Sequence, residues 1–288
     1  MSKPLDDLLG VLAALEDPHE LETQLGDKAD ADPSRPGKSD LRPGGHRRAD
    51  MASPDVNRES RKGVPEVIMA ETKQSDDVIA IARHFLSATG RALLSRVSDD
   101  LLDRLRREFA ELEVESYPAS RMVVLREPGR RVPKTGGKVG IVTAGTSDVP
   151  VAEQAKVVAL EMGCEVMAAF DVGVAGIHRL FRPLKTMIDA GVDVIIVAAG
   201  MDGALPSVVA GLVDVPVIGL PTSVGYGLGG KGVAALLSML QTCSPGLTVV
   251  NIDNGVGAGA TAALLANRVA KVRCTGTGNR EQGIGNRE

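Results

Sequence analysis

Five short aliphatic runs in the second half of the chain constrain its fold more than any other feature of the sequence. The runs cover residues 139–143, 165–170, 192–197, 215–220 and 248–252, and helical patterns separate them. Continuous apolar runs, as opposed to alternating ones, are typical of strands that are covered on both faces. Helices between such strands favour right-handed crossover connections. The sequence therefore predicts an α/β fold built on a doubly wound parallel sheet, a three-layer arrangement of the Rossmann type.

The rest of the chain divides into segments of different character. A weak helical pattern precedes a stretch rich in Asp, Pro, Gly and Arg, and a smaller α/β N-terminal domain follows. The predicted segments are a helical or disordered extension at 1–54, the small domain at 55–128, a linker at 129–137, the main domain at 138–272 and a disordered tail at 273–288.

Local patterns predict the elements of the small domain. An amphipathic helix is expected at residues 76–87, followed by strands at 92–97 and 122–125. Ser98 precedes two acidic residues and a helical pattern, so we expect Ser98 to be the N-cap of a second helix.

Composition excludes several functional classes. A net charge of −4 and an aromatic content of 2% argue against a nucleic-acid surface or a base-stacking platform. The sequence shows no N-terminal apolar segment of the secretory kind and no apolar run of 18 residues, so we expect a cytoplasmic protein without membrane contact. The three cysteines have no CxxC spacing, so neither a disulfide framework nor a zinc site is indicated.

The loops that follow the five runs carry the candidate ligand-binding residues. In open parallel sheets, ligands bind beyond the carboxyl ends of the strands, where helix N-termini can receive phosphate groups. Glycine in these loops lets a ligand approach the backbone closely. The candidate substrate-binding residues are Gly145, Thr146, Ser147, Asp148, Asp171, Gly173, Val174, Met201, Gly203, Pro221, Thr222, Ser223, Gly225, Gly227, Lys231, Asn251, Asp253 and Asn254.

Two further residues are candidates for the chemistry. Asp202 is a carboxylate among small residues and is a candidate general base. Cys243 follows a helical pattern at 233–240, and a lone cysteine of this kind is more often a small buried residue than a nucleophile. A reactive Cys243 thiolate would need a nearby cation, either Lys231 or a positively charged substrate.

Four segments resemble the LarB family of nickel-pincer cofactor biosynthesis. They are DVGVAGIHRL at 171–180, GMDGALPSV at 200–208, PTSVGYG at 221–227 and CSPGLTVVNIDNG at 243–255. A fifth pattern, with Asp55, Arg58, Arg61 and GVPEV at 63–67, is similar to the same family. The resemblance covers residues 55–270. The main domain also resembles the PurE family of aminoimidazole ribonucleotide carboxylases, in which a histidine stands at the position of Ala204.

The LarB resemblance implies a substrate and a reaction. The substrate would be nicotinic acid adenine dinucleotide, carboxylated at C5 of its pyridinium ring and then cut at the phosphoanhydride to release AMP. Cys243 would add to the electron-poor ring, and Asp202 would act as acid or base. The family usually carries Glu at the position of Asp202, so this chain has a shorter side chain there.

The same resemblance implies the other participants. Carbon dioxide or bicarbonate would be the co-substrate, no organic cofactor is expected, and a divalent ion, taken as Mg²⁺ with Asp253 as a ligand, would assist cleavage. A homo-octamer is also implied. Two alternatives stay open: a non-catalytic nucleotide-binding module, and an aminoimidazole ribonucleotide carboxylase or mutase of purine biosynthesis.

Overall fold

The computed structural model describes residues 54–278, which begin with a four-stranded sheet and its helices. The predictions made for residues 1–53 and 279–288 lie outside the described residues. The elements of the first part are α1 (Arg58–Lys62), β1 (Val67–Met69), α2 (Ser75–Thr89), β2 (Arg91–Ser95), α3 (Asp99–Glu108), β3 (Glu113–Tyr117) and β4 (Met122–Arg126). The strand order is β1-β2-β4-β3, with β1 parallel to β2 and the other two pairings antiparallel.

Both faces of this small sheet are buried. Along β2, Leu94 packs among the residues of α2 and α3, whereas its neighbour Leu93 packs in the core of the second sheet. On β4, Val123 and Val124 are divided in the same way. Successive side chains of a strand point to opposite faces, so each strand serves two cores. The small domain therefore uses the main domain as its second covering layer.

The second part is a five-stranded parallel sheet with helices on both faces, as the sequence predicted. Its elements are β5 (Lys138–Thr143), α4 (Val149–Glu161), β6 (Glu165–Ala169), α5 (His178–Asp189), β7 (Val194–Ala199), α6 (Leu205–Ala210), β8 (Val217–Pro221), α7 (Val233–Leu240), β9 (Leu247–Val249) and α8 (Gly255–Gly278). The strand order is β6-β5-β7-β8-β9, and every pairing is parallel.

The structure differs from the sequence-based expectations at three places. The sequence indicates no strand at β3, because its side chains carry little apolar signal, and the segment gains its strand conformation by pairing with β4. The strand predicted at 248–252 ends at Val249, where the chain turns into a loop. The irregular tail predicted from residue 273 is helical through Gly278, because α8 packs along the core and Arg273 bonds to Asp193.

Candidate active site

The loops that follow the five strands of the second sheet meet at one edge of that sheet. All five strands are parallel, so their carboxyl ends lie on the same side. We call this side the carboxyl edge and define it by residues 144–148, 170–177, 200–204, 222–232 and 250–254. Every substrate-binding candidate lies there, apart from Pro221, which is the last residue of β8. The opposite side, where the strands begin, is the amino edge.

Backbone hydrogen bonds fasten neighbouring loops of the carboxyl edge to one another. The Met201 N–H donates to the Val224 carbonyl over 2.8 Å, which joins the loops after β7 and β8. The Ser223 N–H donates to Asp253 Oδ1 over 2.8 Å, which joins the loops after β8 and β9. These contacts place the loops after three adjacent strands in one connected surface.

Asp148 and Thr222 form a buried link within this surface. Asp148 is 3% exposed, and its Oδ1 accepts a hydrogen bond of 2.6 Å from the hydroxyl of Thr222, which is fully buried. The other carboxylate oxygen accepts from the Gly145 N–H over 2.8 Å. Both Asp148 oxygens thus have partners within the protein. The pair positions the loops after β5 and β8, and direct contact of Asp148 with a ligand stays a prediction.

Four candidate residues adopt a backbone conformation that is uncommon for residues other than glycine. Asp171, Met201, Lys231 and Asp253 have φ between +52° and +59°. Among the described residues, two other non-glycine positions share this feature, and both lie in the small domain. Backbone strain of this kind gathers at sites where the surrounding structure fixes a side chain for function. The strain in the main domain is therefore confined to the carboxyl edge.

Some of the glycines in these loops are explained by packing. A side chain at Gly200 would collide with the Val224 carbonyl oxygen, and a Cβ at Gly173 would lie 2.6 Å from the Ala144 carbonyl oxygen. A Cβ at Gly203 would lie 2.7 Å from the backbone of Ala235. Close approach between loops requires glycine at these positions whether or not a ligand is bound.

The two asparagine candidates also have structural partners. Asn254 Oδ1 accepts a hydrogen bond of 2.8 Å from the Gly257 N–H and so satisfies a free donor at the start of α8. Asn251 Oδ1 accepts from the Ile252 N–H over 2.9 Å. Their amide nitrogens remain potential donors to a ligand.

Charged side chains of both signs stand at the carboxyl edge. Asp202 and Lys231 are exposed, and Asp202 accepts a long hydrogen bond of 3.4 Å from the Ala204 N–H. Arg179, in the first turn of α5, pairs with Asp171 over 2.6 Å. Arg179 is not among the candidate residues predicted from the sequence, although its place just after a glycine-rich loop could have indicated it.

Within one chain, Cys243 lies far from the charged residues of the carboxyl edge. It lies at the amino edge, four residues before β9, and Ser244 Oγ would be 3.6 Å from a Cβ at Gly211, the residue that follows α6. Strand β8 alone spans about 13 Å between the two edges, at roughly 3.3 Å per residue. The thiol is exposed. Cys243 and Asp202 therefore face different parts of the surface of a single chain.

Cys164 is a different kind of cysteine. It is buried, and burial raises the pKa of its thiol to about 11. Its Sγ donates to Asn267 Oδ1 over 3.2 Å. A thiol in this environment stays protonated at neutral pH and serves packing.

The described residues contain no group of three or more His, Cys, Asp or Glu side chains placed to hold a metal ion. Asp253 has one carboxylate oxygen committed to the Ser223 N–H. Mg²⁺ often keeps several waters and binds through one or two carboxylates together with substrate phosphates. Asp253 by itself is therefore an incomplete site, and a bound Mg²⁺ would depend mainly on phosphate oxygens of the substrate.

No helix in the described part of the chain is both long enough and apolar enough to cross a membrane.

Both parts of the chain match models of known protein families. A model of the LarB/PurE-like N-terminal domain matches residues 46–127, and the AIR carboxylase model matches residues 138–280. An uncharacterized protein of Methanocaldococcus jannaschii is 46% identical over 222 residues, which are 75% of this chain and 84% of that protein.

Relatives with assigned names match the main domain. The N5-carboxyaminoimidazole ribonucleotide mutase of Thermotoga maritima is 32% identical over 44% of this chain and 72% of its own length. The enzyme of the same name from M. jannaschii is 34% identical over 46% of this chain and 78% of its own length. With an N-terminal LarB domain followed by a PurE-like carboxylase domain, the chain belongs to the LarB family.

Proposed function

We propose that this protein carboxylates nicotinic acid adenine dinucleotide at C5 of the pyridinium ring and hydrolyses its phosphoanhydride. The products would be pyridinium-3,5-biscarboxylic acid mononucleotide and AMP, in the first step of nickel-pincer nucleotide synthesis for lactate racemase maturation. The observation that carries the proposal is the succession of a LarB N-terminal domain and an AIR carboxylase domain in one chain. The second domain supports carboxylation of a nucleotide's heterocycle, and the first distinguishes the chain from relatives that match its main domain alone.

The ring chemistry requires a nucleophile and a base. A Cys243 thiolate would add its electron pair to the pyridinium, giving a neutral, enamine-like ring whose C5 can attack the carbon of carbon dioxide. A base must then remove the C5 proton while the thiolate leaves and the ring regains aromaticity. The charge of the pyridinium would also favour the thiolate form of Cys243.

Asp202 is suited to the role of base. Its carboxylate is exposed at the carboxyl edge, and the one hydrogen bond that it accepts among the described residues is long. Met201 and Gly203, on either side, both have positive φ, so the backbone holds this side chain in a defined place. Its oxygens are free to accept a proton from a bound ring.

Cys243 and Asp202 of a single chain lie too far apart to act on the same pyridinium ring. Because Cys243 lies at the amino edge and Asp202 at the carboxyl edge, we propose that Cys243 of one copy completes the site of another. Helix α7, which ends just before Cys243, exposes Val233, Leu237 and Leu240 to solvent. These positions lie on one face of the helix, so a second copy that covers them would bring Cys243 into a subunit interface.

The first test follows the reaction directly. Purified protein is incubated with nicotinic acid adenine dinucleotide, bicarbonate and Mg²⁺, and products are identified by mass spectrometry. We expect the dicarboxylated mononucleotide and AMP from the wild type and from Cys274→Ala, another exposed cysteine, but not from Cys243→Ala. A wild type that binds the dinucleotide and leaves it intact would instead support a non-catalytic binding module.

A second test addresses the shared site. Cys243→Ala and Asp202→Asn chains, each inactive alone, are unfolded together and refolded as mixed oligomers. If each site takes its cysteine and its aspartate from different copies, roughly a quarter of the sites recover both groups under random mixing. Activity that stays at background in oligomers proven to be mixed would mean that the two groups do not act across subunits.

One alternative reaction has a specific observation in its favour. The named relatives of the main domain are N5-carboxyaminoimidazole ribonucleotide mutases. Turnover of N5-carboxyaminoimidazole ribonucleotide, without turnover of nicotinic acid adenine dinucleotide, would favour this reaction over the one proposed.

A further inference from the structure

The loop between β8 and α7, residues 222–232, has a fixed base and an open tip; we call it the glycine loop. At its base, Met201 donates to the Val224 carbonyl, and a Cβ at Gly232 would lie 2.8 Å from the Thr222 carbonyl oxygen. At its tip, a Cβ added to Gly227 would meet nothing within 4 Å. The base is therefore packed into the carboxyl edge, and the tip extends into solvent.

The tip presents an aromatic side chain. Tyr226 is 83% exposed and stands between Gly225, at φ +155°, and Gly227, at φ +75°. Both conformations are rare for residues with a side chain, so the two glycines are needed to hold Tyr226 at this point. The other exposed aromatic rings among the described residues, Phe170 at 42% and Phe181 at 51%, are less exposed than Tyr226.

Tyr226 lies beside the loop that carries Asp202. A Cβ at Gly225 would be 3.4 Å from the Met201 backbone nitrogen and 3.6 Å from its sulfur. Met201 is itself about half exposed and immediately precedes Asp202. The backbone next to Tyr226 thus packs against the residue that precedes Asp202, on two loops that are hydrogen-bonded to each other.

We propose that Tyr226 stacks on the pyridinium ring of the substrate and holds that ring beside Asp202; this rests on the proposed function. A pyridinium carries positive charge, and the face of a phenol ring attracts cations through its quadrupole. The attraction depends on the aromatic face and not on the hydroxyl group. Tyr226 is therefore a positioning residue that selects a charged, planar heterocycle.

Tyrosine fluorescence tests the contact without turnover. The chain has no tryptophan and two tyrosines, so Tyr117→Phe leaves Tyr226 as the sole source of tyrosine emission. Nicotinic acid mononucleotide is titrated into this variant, with N-acetyltyrosinamide as the absorption control and calorimetry as the binding control. We expect saturable quenching of the emission. Unchanged emission, whether or not calorimetry detects binding, would overturn the proposal.

Steady-state kinetics test the requirement for the aromatic face. Tyr226→Phe should keep the KM for nicotinic acid adenine dinucleotide within about 2-fold, whereas Tyr226→Leu should raise it about 5- to 30-fold, as expected for loss of a cation–π contact. Tyr117→Phe is the matched control and should not change KM. Equal KM values for the Leu and Phe variants, or a changed oligomer mass in the Leu variant alone, would overturn the proposal.

Different results would contradict the proposed reaction and the proposed role of Tyr226. If the wild type turns over the dinucleotide but Tyr226→Leu has the wild-type KM, the reaction stands and the role of Tyr226 is wrong. If there is no turnover but nicotinic acid mononucleotide quenches Tyr226, the contact stands and the reaction is wrong.

Discussion

At the scale of single residues, Glu161 joins the two sheets. It lies at the end of α4 and is buried, and its two carboxylate oxygens accept from Arg91 on β2 and Arg126 on β4. Arg91 is buried as well, and it also pairs with Glu59 of α1. Buried charges are costly unless they are paired, so this cluster fixes how the small sheet meets α4.

Replacing Glu161 should therefore strongly lower the stability of the protein. In Glu161→Ala, the two arginines lose their shared partner and Arg91 remains buried, so we expect the free energy of unfolding to fall by about 3–5 kcal/mol. Glu115→Ala, which removes an exposed partner of Arg126, should cost less than about 1 kcal/mol. Urea unfolding followed by circular dichroism measures both changes. Similar losses in the two variants would contradict the central role of Glu161.

At the scale of elements, the contact between α4 and α8 depends on glycine. Side chains at Gly255 and Gly259 would collide with the carbonyl oxygens of Val151 and Ala155, so the two helices approach as closely as their backbones allow. Ala258, Ala262 and neighbouring alanines of α8 continue this contact. Small residues on facing helices permit an interaxial distance that larger side chains would prevent.

Gly259→Ala tests this contact. Alanine in an exposed helix position stabilises a helix by about 1 kcal/mol relative to glycine, but here its methyl group would push the helices apart. We expect a net destabilisation of about 1–3 kcal/mol, measured by thermal and urea unfolding. Thr261→Ala, on the exposed side of the same helix, should leave the stability unchanged or slightly higher. A more stable Gly259→Ala protein would show that the contact tolerates extra volume.

At the scale of the whole molecule, the exposed apolar face of α7 predicts self-association. Val233, Leu237 and Leu240 are 50–62% exposed at positions i, i+4 and i+7. Leu237→Glu would place a charge in the centre of this face. We expect a smaller oligomer by light scattering and loss of carboxylase activity, although Cys243 and Asp202 are intact. Met69→Glu, at an exposed apolar residue of the small sheet, is the control and should change neither property.

A full-size, inactive Leu237→Glu oligomer would place the subunit interface elsewhere. A smaller oligomer that keeps full activity would separate assembly from catalysis and contradict the shared site.

The sequence by itself determined the parallel sheet and the edge where candidate residues gather. Continuous aliphatic runs report burial on both faces of a strand, and the parallel connection then places every following loop on one side. It also predicted the start of α3, where Ser98 Oγ accepts from the Leu101 N–H over 3.3 Å, because capping depends on neighbouring residues alone.

Only the tertiary structure decided which loops touch and which do not. The Asp148–Thr222 hydrogen bond joins residues 74 positions apart, and Glu161, on helix α4, pairs with arginines of the small sheet. The sequence does not encode such partners locally, because they depend on how separate elements pack. For the same reason, the tertiary structure revealed that Cys243 and Asp202 lie at opposite edges of the sheet, although both stand in motifs of one family.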